Sequence, residues 1–207
     1  MRAAMVHRLR EQGIANDIVL GAMAVVPRHQ FVDEALASRA YGPDALPIGH
    51  GQTISAPYTV ARLCVEALNG RTRLSRVLEI GTGCGYQAAV LAQFSAQVIS
   101  IERIAALQSQ AAARLRALGV SRVRSILGDG RLGHPTLGGY DAIVVAAAGL
   151  ALPPAWLEQL SVGGCLIAPE GDASQMLVRI ERQSAERWHR EVLDPVKFVP
   201  LREGVQR

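Results

Sequence analysis

Apolar positions along this chain fall into two rhythms. From residue 76 onward, short unbroken apolar runs alternate with stretches of helical spacing. Residues 77–80, 98–101, 123–127, 141–145 and 165–168 read as buried strands, and 87–94, 104–118 and 154–160 as the helices between them. That alternation predicts an α/β fold with a mostly parallel, doubly wound sheet. The run after Asp141, apolar to Val145, suits a central strand covered on both faces. Residues 175–180 and 188–193 lack a helix between them, which predicts an antiparallel C-terminal hairpin turning around Ser184-Ala185-Glu186. A last apolar run covers 196–199.

The first third has a different texture. Helical spacing covers residues 3–12, with Gly13 placed as a C-cap. A second helix, capped by Asp17, carries Ile18, Val19, Ala22, Met23 and Val26 and stops at Pro27. Phe31, Val32, Ala35 and Leu36 suggest a third short helix, and these N-terminal helical segments predict a lid or outer layer. Residues 46–58 have no useful periodicity and read from composition as a polar surface loop. Gln52, Thr53 and Ser55 cluster just before a helix over 59–68. A hydroxyl there can cap that helix, or face a ligand held by a neighbouring turn.

Composition adds limits rather than chemistry. With 207 residues, 49% hydrophobic and 19% charged, the chain is expected to form one domain, residues 1–207, dividing into 1–70 and a core over 71–207. The net charge of +4 is dispersed, so no basic face for nucleic acid is expected. Cys64, Cys84 and Cys165 are odd in number and lack metal spacing, implying neither a disulfide framework nor a zinc site. Residues 1–8 lack the apolar core of a secretory signal, and the longest apolar run, 142–154, is shorter than the roughly 20 residues of a membrane span. A soluble cytoplasmic protein is expected.

The chemistry centres on one turn. Gly81, Gly83 and Gly85 follow the first strand at alternate positions, ahead of a helix. This spacing misses the dinucleotide pattern, whose third glycine lies three positions after the second. It resembles motif I of the class I S-adenosylmethionine (SAM) methyltransferases, with Glu79 on the strand, Thr82 between the glycines and a Rossmann-like sheet implied. Glu102 ends the second strand, where a carboxylate can accept from two ribose hydroxyls, or simply face solvent. Asp129, in Gly128-Asp129-Gly130, can accept from an exocyclic adenine amine or form a turn. All three features fall at the carboxyl ends of consecutive strands, where open α/β sheets bind ligands.

Two longer segments narrow the resemblance. Residues 49–58, Gly-His-Gly-Gln-Thr-Ile-Ser-Ala-Pro-Tyr, and 78–89 around the glycine turn are similar to the protein-L-isoaspartate (D-aspartate) O-methyltransferase family. So are Val26 to Val32, Gly128 to Gly130, Tyr140 to Ile143, Leu160 to Gly164 and Phe198 to Leu201. The resemblance implies methyl transfer from SAM, leaving S-adenosylhomocysteine, to the free α-carboxylate of L-isoaspartyl and, more weakly, D-aspartyl residues in damaged proteins. The ester would then collapse to a succinimide, as protein repair requires. It further implies Ser55 as the active-site serine, with Thr53 and Pro57 beside it on the substrate side. Gly49, His50, Gly51 and Gln52 would line the donor pocket with Gly81, Thr82, Gly83, Gly85, Glu79, Glu102, Asp129 and Gly130. A monomer without nucleic-acid, membrane or metal partners is expected.

A carboxylate of pKa near 4 is ionised at neutral pH, so alignment and exclusion of water suffice and no general base is needed. Ser55 is therefore expected to orient the acceptor, not to attack it. Two features depart from the family. Thr-Ala-Ala-Ala-Pro after the fourth strand is replaced by Ala146-Ala147-Ala148-Gly149-Leu150, and the tail beyond Leu201 is short. The alternative is an O-methyltransferase of the same fold acting on a small molecule.

Overall fold

The computed structural model describes all residues 1–207. Two helices, α1 (Arg2–Glu11) and α2 (Asp17–Val25), lead into two 3₁₀ turns, Arg28–Phe31 and Glu34–Arg39. The cap of α2 is Asn16 rather than Asp17, because the Asn16 side chain reaches the amides of Ile18 and Val19 at 3.1 Å each. Asp17 instead takes Arg10 at 2.6 Å. Next come β1 (Leu46–Gly49) and β2 (Gln52–Ile54), then α3 (Pro57–Leu68).

The expected loop over 46–58 is thus largely a small antiparallel hairpin. Its two-residue turn, His50-Gly51, has positive φ at both positions, the backbone that tight hairpins favour. Pro47 and the flanking glycines break the alternation by which a strand is recognised, and hid it.

The main sheet then forms from β3 (Leu74–Ile80), β4 (Ser95–Glu102), β5 (Val123–Leu127), β6 (Tyr140–Val145), β7 (Leu160–Gly171), β8 (Gln175–Arg182) and β9 (Trp188–Val196). The intervening helices are α4 (Tyr86–Phe94), α5 (Ala105–Ala117) and α6 (Pro154–Glu158). Strand order is β5-β4-β3-β6-β7-β8-β9; pairing is parallel up to β7 and antiparallel beyond it. The chain winds outward from β3 to β5, then returns to lay β6 on the other side of β3. That reversal opens a crevice at the carboxyl ends of β3 and β6.

Alternation along the strands sorts the core into two faces. Val77, Val98, Ala142, Val144 and Ile167 join α1–α4 in one cluster running from Met5 to Leu177. Leu78, Ile80, Ile99, Ile143 and Leu166 face the other way, where the short α6 inserts the fully buried Trp156. The Trp156 indole donates to the Gly130 carbonyl at 2.9 Å, tying that face to the rim of the crevice. The predicted helix over 154–160 ends at Glu158, because Leu160 pairs with Tyr140 and begins β7. Arg62 and Arg179 converge on the buried Glu66 and also take Asp194 and Glu191, joining α3 to β8 and β9.

Candidate active site

A cleft occupies the crevice at the strand reversal. It encloses about 880 Å³ when the solvent at its open mouth is included. Its floor is the turn after β3. Gly81 has φ +93°, and a Cβ there would stand 3.3 Å from that of Ala146. Both the strained φ and the close approach demand glycine, and the bare backbone leaves room for a ligand. Gly81→Ala should therefore cost about 1–2 kcal/mol of stability, measured by denaturant unfolding; an unchanged midpoint would show that the turn relaxes without cost.

The amides of Gly81 and Thr82 both donate to the Ile101 carbonyl, at 2.9 and 3.2 Å. Glu102 completes the clamp: one carboxylate oxygen accepts from the Gly83 amide at 2.8 Å, the other from the Ile104 amide at 3.0 Å. Glu102 lines the cleft, and each oxygen keeps a further lone pair, enough for a pair of ligand hydroxyls. Gly83 also receives the hairpin: a Cβ there would meet Ile48 Cδ1 at 3.2 Å. That packing seats β1 and β2 on the glycine turn and brings Gln52, Thr53 and Ser55 to the cleft wall. The protein grips the Ser55 carbonyl, through Arg28 at 2.7 Å. No histidine lines the cleft.

Glu79 is fully buried beneath this floor, one oxygen accepting from the Ser100 hydroxyl. Ser100 in turn meets Thr82 Oγ1 at 2.5 Å. Burial pushes the Glu79 carboxyl up to about 8, the Ser100 and Gln87 side chains pull it back, and the charge of Glu102 adds to the rise. Its second oxygen and both polar atoms of the Gln87 amide lack a partner of good geometry. Thr82 and Gln87 line the cleft, so this polar relay connects a buried acid to it. The relay suits a cation above it, and Glu102 suits a diol; the donor set therefore fits SAM.

Other expected residues sit elsewhere. Gly49, His50 and Gly51 form the hairpin tip and do not line the cleft. Pro57 is the buried first residue of α3. Gly85 opens α4 with φ +91°, and a Cβ there would touch Ala111 and Leu115, so it serves helix packing. Asp129 caps the turn Gly130–Leu132 through the Arg131 amide at 2.9 Å, while its other oxygen takes the Gly204 amide at 2.8 Å. Both interactions hold the chain, leaving Gly130 as the lining residue of that segment.

The C-terminal tail was the least legible part of the site. Residues 199–202 form a wall of the cleft. Ala148 donates to the Val199 carbonyl at 2.8 Å and accepts from the Leu201 amide at 2.6 Å. Arg103 holds the Gly204 carbonyl at 3.1 Å, and Gln206 pairs with Arg103 and Ala105. The tail is a strap across the strand ends, held through its own backbone groups by Ala148, Arg103 and Asp129.

A doubly wound sheet with a glycine turn, a strand-end acid and this cleft defines a class I SAM-dependent methyltransferase. The profile of the protein-L-isoaspartate(D-aspartate) O-methyltransferase (PCMT) family matches residues 1–206. A Bordetella avium protein-L-isoaspartate O-methyltransferase is 61% identical over 207 residues, covering all of this chain and 78% of its own length. The Burkholderia vietnamiensis protein of that name is 55% identical over 208 residues, covering 99% of this chain and 67% of its own. A Plasmodium falciparum crystal structure assigned as a PCMT, in complex with S-adenosyl-L-homocysteine, superposes with a TM-score of 0.83 at 27% identity, covering 97% of this chain and 98% of that one. The chain belongs to the protein-L-isoaspartate O-methyltransferase family.

Proposed function

We infer that this chain is a protein-repair enzyme that moves a methyl group from SAM to the free α-carboxylate of L-isoaspartyl residues, and more weakly of D-aspartyl residues. The observation that carries this reading is the hairpin 46–54 seated on the glycine turn, which sets Ser55 beside the donor floor. When bound, SAM supplies an electrophilic methyl on a sulfonium, which the carboxylate oxygen takes as the sulfur–carbon bond breaks. Gly81, Thr82 and Gly83 shape the donor seat, Glu102 accepts from ribose hydroxyls, and Glu79 supports the cationic end through Thr82 and Gln87. Gln52 and Thr53 face the ligand from the hairpin. Ser55 donates to the acceptor carboxylate and sets the line of attack. The strap over 199–202 keeps water from the reacting atoms.

The product ester is a better leaving system than the free acid. The next backbone nitrogen attacks its carbonyl, methanol departs, and water opens the succinimide to aspartyl or isoaspartyl. Mass spectrometry of an isoaspartyl peptide during turnover should show gain of one methyl group, then loss of methanol. An ester that persists at neutral pH would contradict the repair role.

The continuous core from Met5 to Leu177 supports one methyltransferase domain over 1–207, its N-terminal part supplying the substrate-side hairpin. Cys64, Cys84 and Cys165 are free and buried, which suits a reducing compartment and a cytoplasmic location. No helix is long and apolar enough to cross a membrane.

A further inference from the structure

Arg28 is the largest charged side chain in the interior, with no exposed surface. Its Nε donates to the Ala40 carbonyl at 2.7 Å and its Nη2 to the Ser55 carbonyl at 2.7 Å. The guanidinium carbon lies 4.7 Å from the Tyr86 ring centroid, and Phe31 packs edge-on against the same ring at 5.5 Å. Neither Nη1 nor the nearby Tyr86 hydroxyl has a hydrogen-bond partner of good geometry. The groups that favour its charge are Tyr86, Cys84 and Tyr41; no carboxylate is among them. A cation buried without a counter-charge is costly, and an apolar side chain would fill the same space more cheaply. Ser55, Cys84 and Tyr86 all line the cleft, so the unbalanced charge stands directly behind its acceptor wall.

We propose that Arg28 is a positioning residue for methyl transfer: its fork fixes Ser55, and its unpaired charge draws the acceptor carboxylate into the cleft. This rests on the isoaspartyl reading above. The two roles separate kinetically. Carboxylate and sulfonium charges cancel as the methyl moves, so a fixed cation favours the bound acceptor over the transition state and acts on affinity. The grip on the Ser55 carbonyl sets the hydroxyl's position and acts on kcat.

The test uses the full chain saturated with S-adenosylhomocysteine. Binding of an isoaspartyl peptide and of its α-carboxamide counterpart is measured by fluorescence anisotropy, with donor affinity followed by calorimetry as the check on folding. Wild type should prefer the carboxylate by about tenfold, the scale of one unit charge acting through a partly shielded wall. Arg28→Gln should lose most of that preference. Arg28→Lys should keep it, because the charge remains, while kcat falls about tenfold because one ammonium cannot span both carbonyls. A Gln variant that binds donor and keeps the full preference overturns the proposal. Should that variant fail to fold, a Lys variant with wild-type kcat overturns it instead. Wild-type transfer to the isoaspartyl peptide with either result sinks the Arg28 inference alone; absence of wild-type transfer sinks the functional reading beneath it.

Discussion

Replacing Ser55 by alanine is expected to lower kcat/KM for an isoaspartyl peptide by roughly 10²–10³-fold, the usual consequence of removing one preorganised donor from a water-poor site. Donor affinity should stay within about twofold, so the loss falls on transition-state stabilisation rather than on SAM binding. The geometry requires this division. Ser55 is held by its carbonyl, from Arg28, and stands on the hairpin side of the cleft, while the donor seat is the separate turn 81–83 clamped to Ile101 and Glu102. No histidine lines the cleft to activate the hydroxyl, and an ionised acceptor needs no such base. Steady-state kinetics with donor titration decides the matter. Near-wild-type turnover would show that the backbone alone orients the acceptor, and loss of donor binding would place Ser55 in the other half of the site.

Glu79 should make this protein less stable as pH rises. Its carboxyl is pushed from an ordinary 4.5 to about 8 in the folded state. Below about 4.5 both folded and unfolded forms carry the proton, and the folded state bears no penalty. Between the two values the unfolded chain ionises freely while the folded one must hold its proton, so stability falls as pH climbs through about 8. The full difference is on the order of 5 kcal/mol. Glu79→Gln cannot ionise, so its melting temperature should gain on wild type progressively from pH 5 to pH 9. Bound SAM reverses the balance, because its positive charge favours the carboxylate. Donor affinity should thus rise with pH in wild type, with a proton released on binding, and flatten in the Gln variant. Parallel melting curves across that range would show that Glu79 ionises without cost where it lies.

The parts of this fold that depend on burial were legible in the sequence, and those that depend on backbone contacts were not. Runs such as 77–80 and 141–145 predict strands because both faces are covered, and β3 and β6 follow them. Glu102 was legible only as a strand-end acid, with solvent as its other reading, and the fold sets it on the cleft wall. The hairpin 46–54 was obscured by Pro47 and two glycines, although its polar residues already pointed to a ligand. Nothing in the sequence around Asp129 signals its contact with the Gly204 amide, which depends on the path of the tail. Arg28, in Val26-Pro27-Arg28-His29, looks like an ordinary surface arginine until folding places it under Ser55. The departure Ala146-Ala147-Ala148-Gly149-Leu150 keeps its shape through ties to Ile80, Val199 and Pro169, with Leu150 80% exposed.

The most direct test of isoaspartyl repair is methyl transfer from labelled SAM to two peptides that differ only in one isoaspartyl or aspartyl linkage. Base-labile label on the isoaspartyl peptide alone is the expected result. Equal labelling of both peptides, or none on either while SAM still binds, would contradict the assigned acceptor, and the loop 146–150 would then be where its pocket has changed.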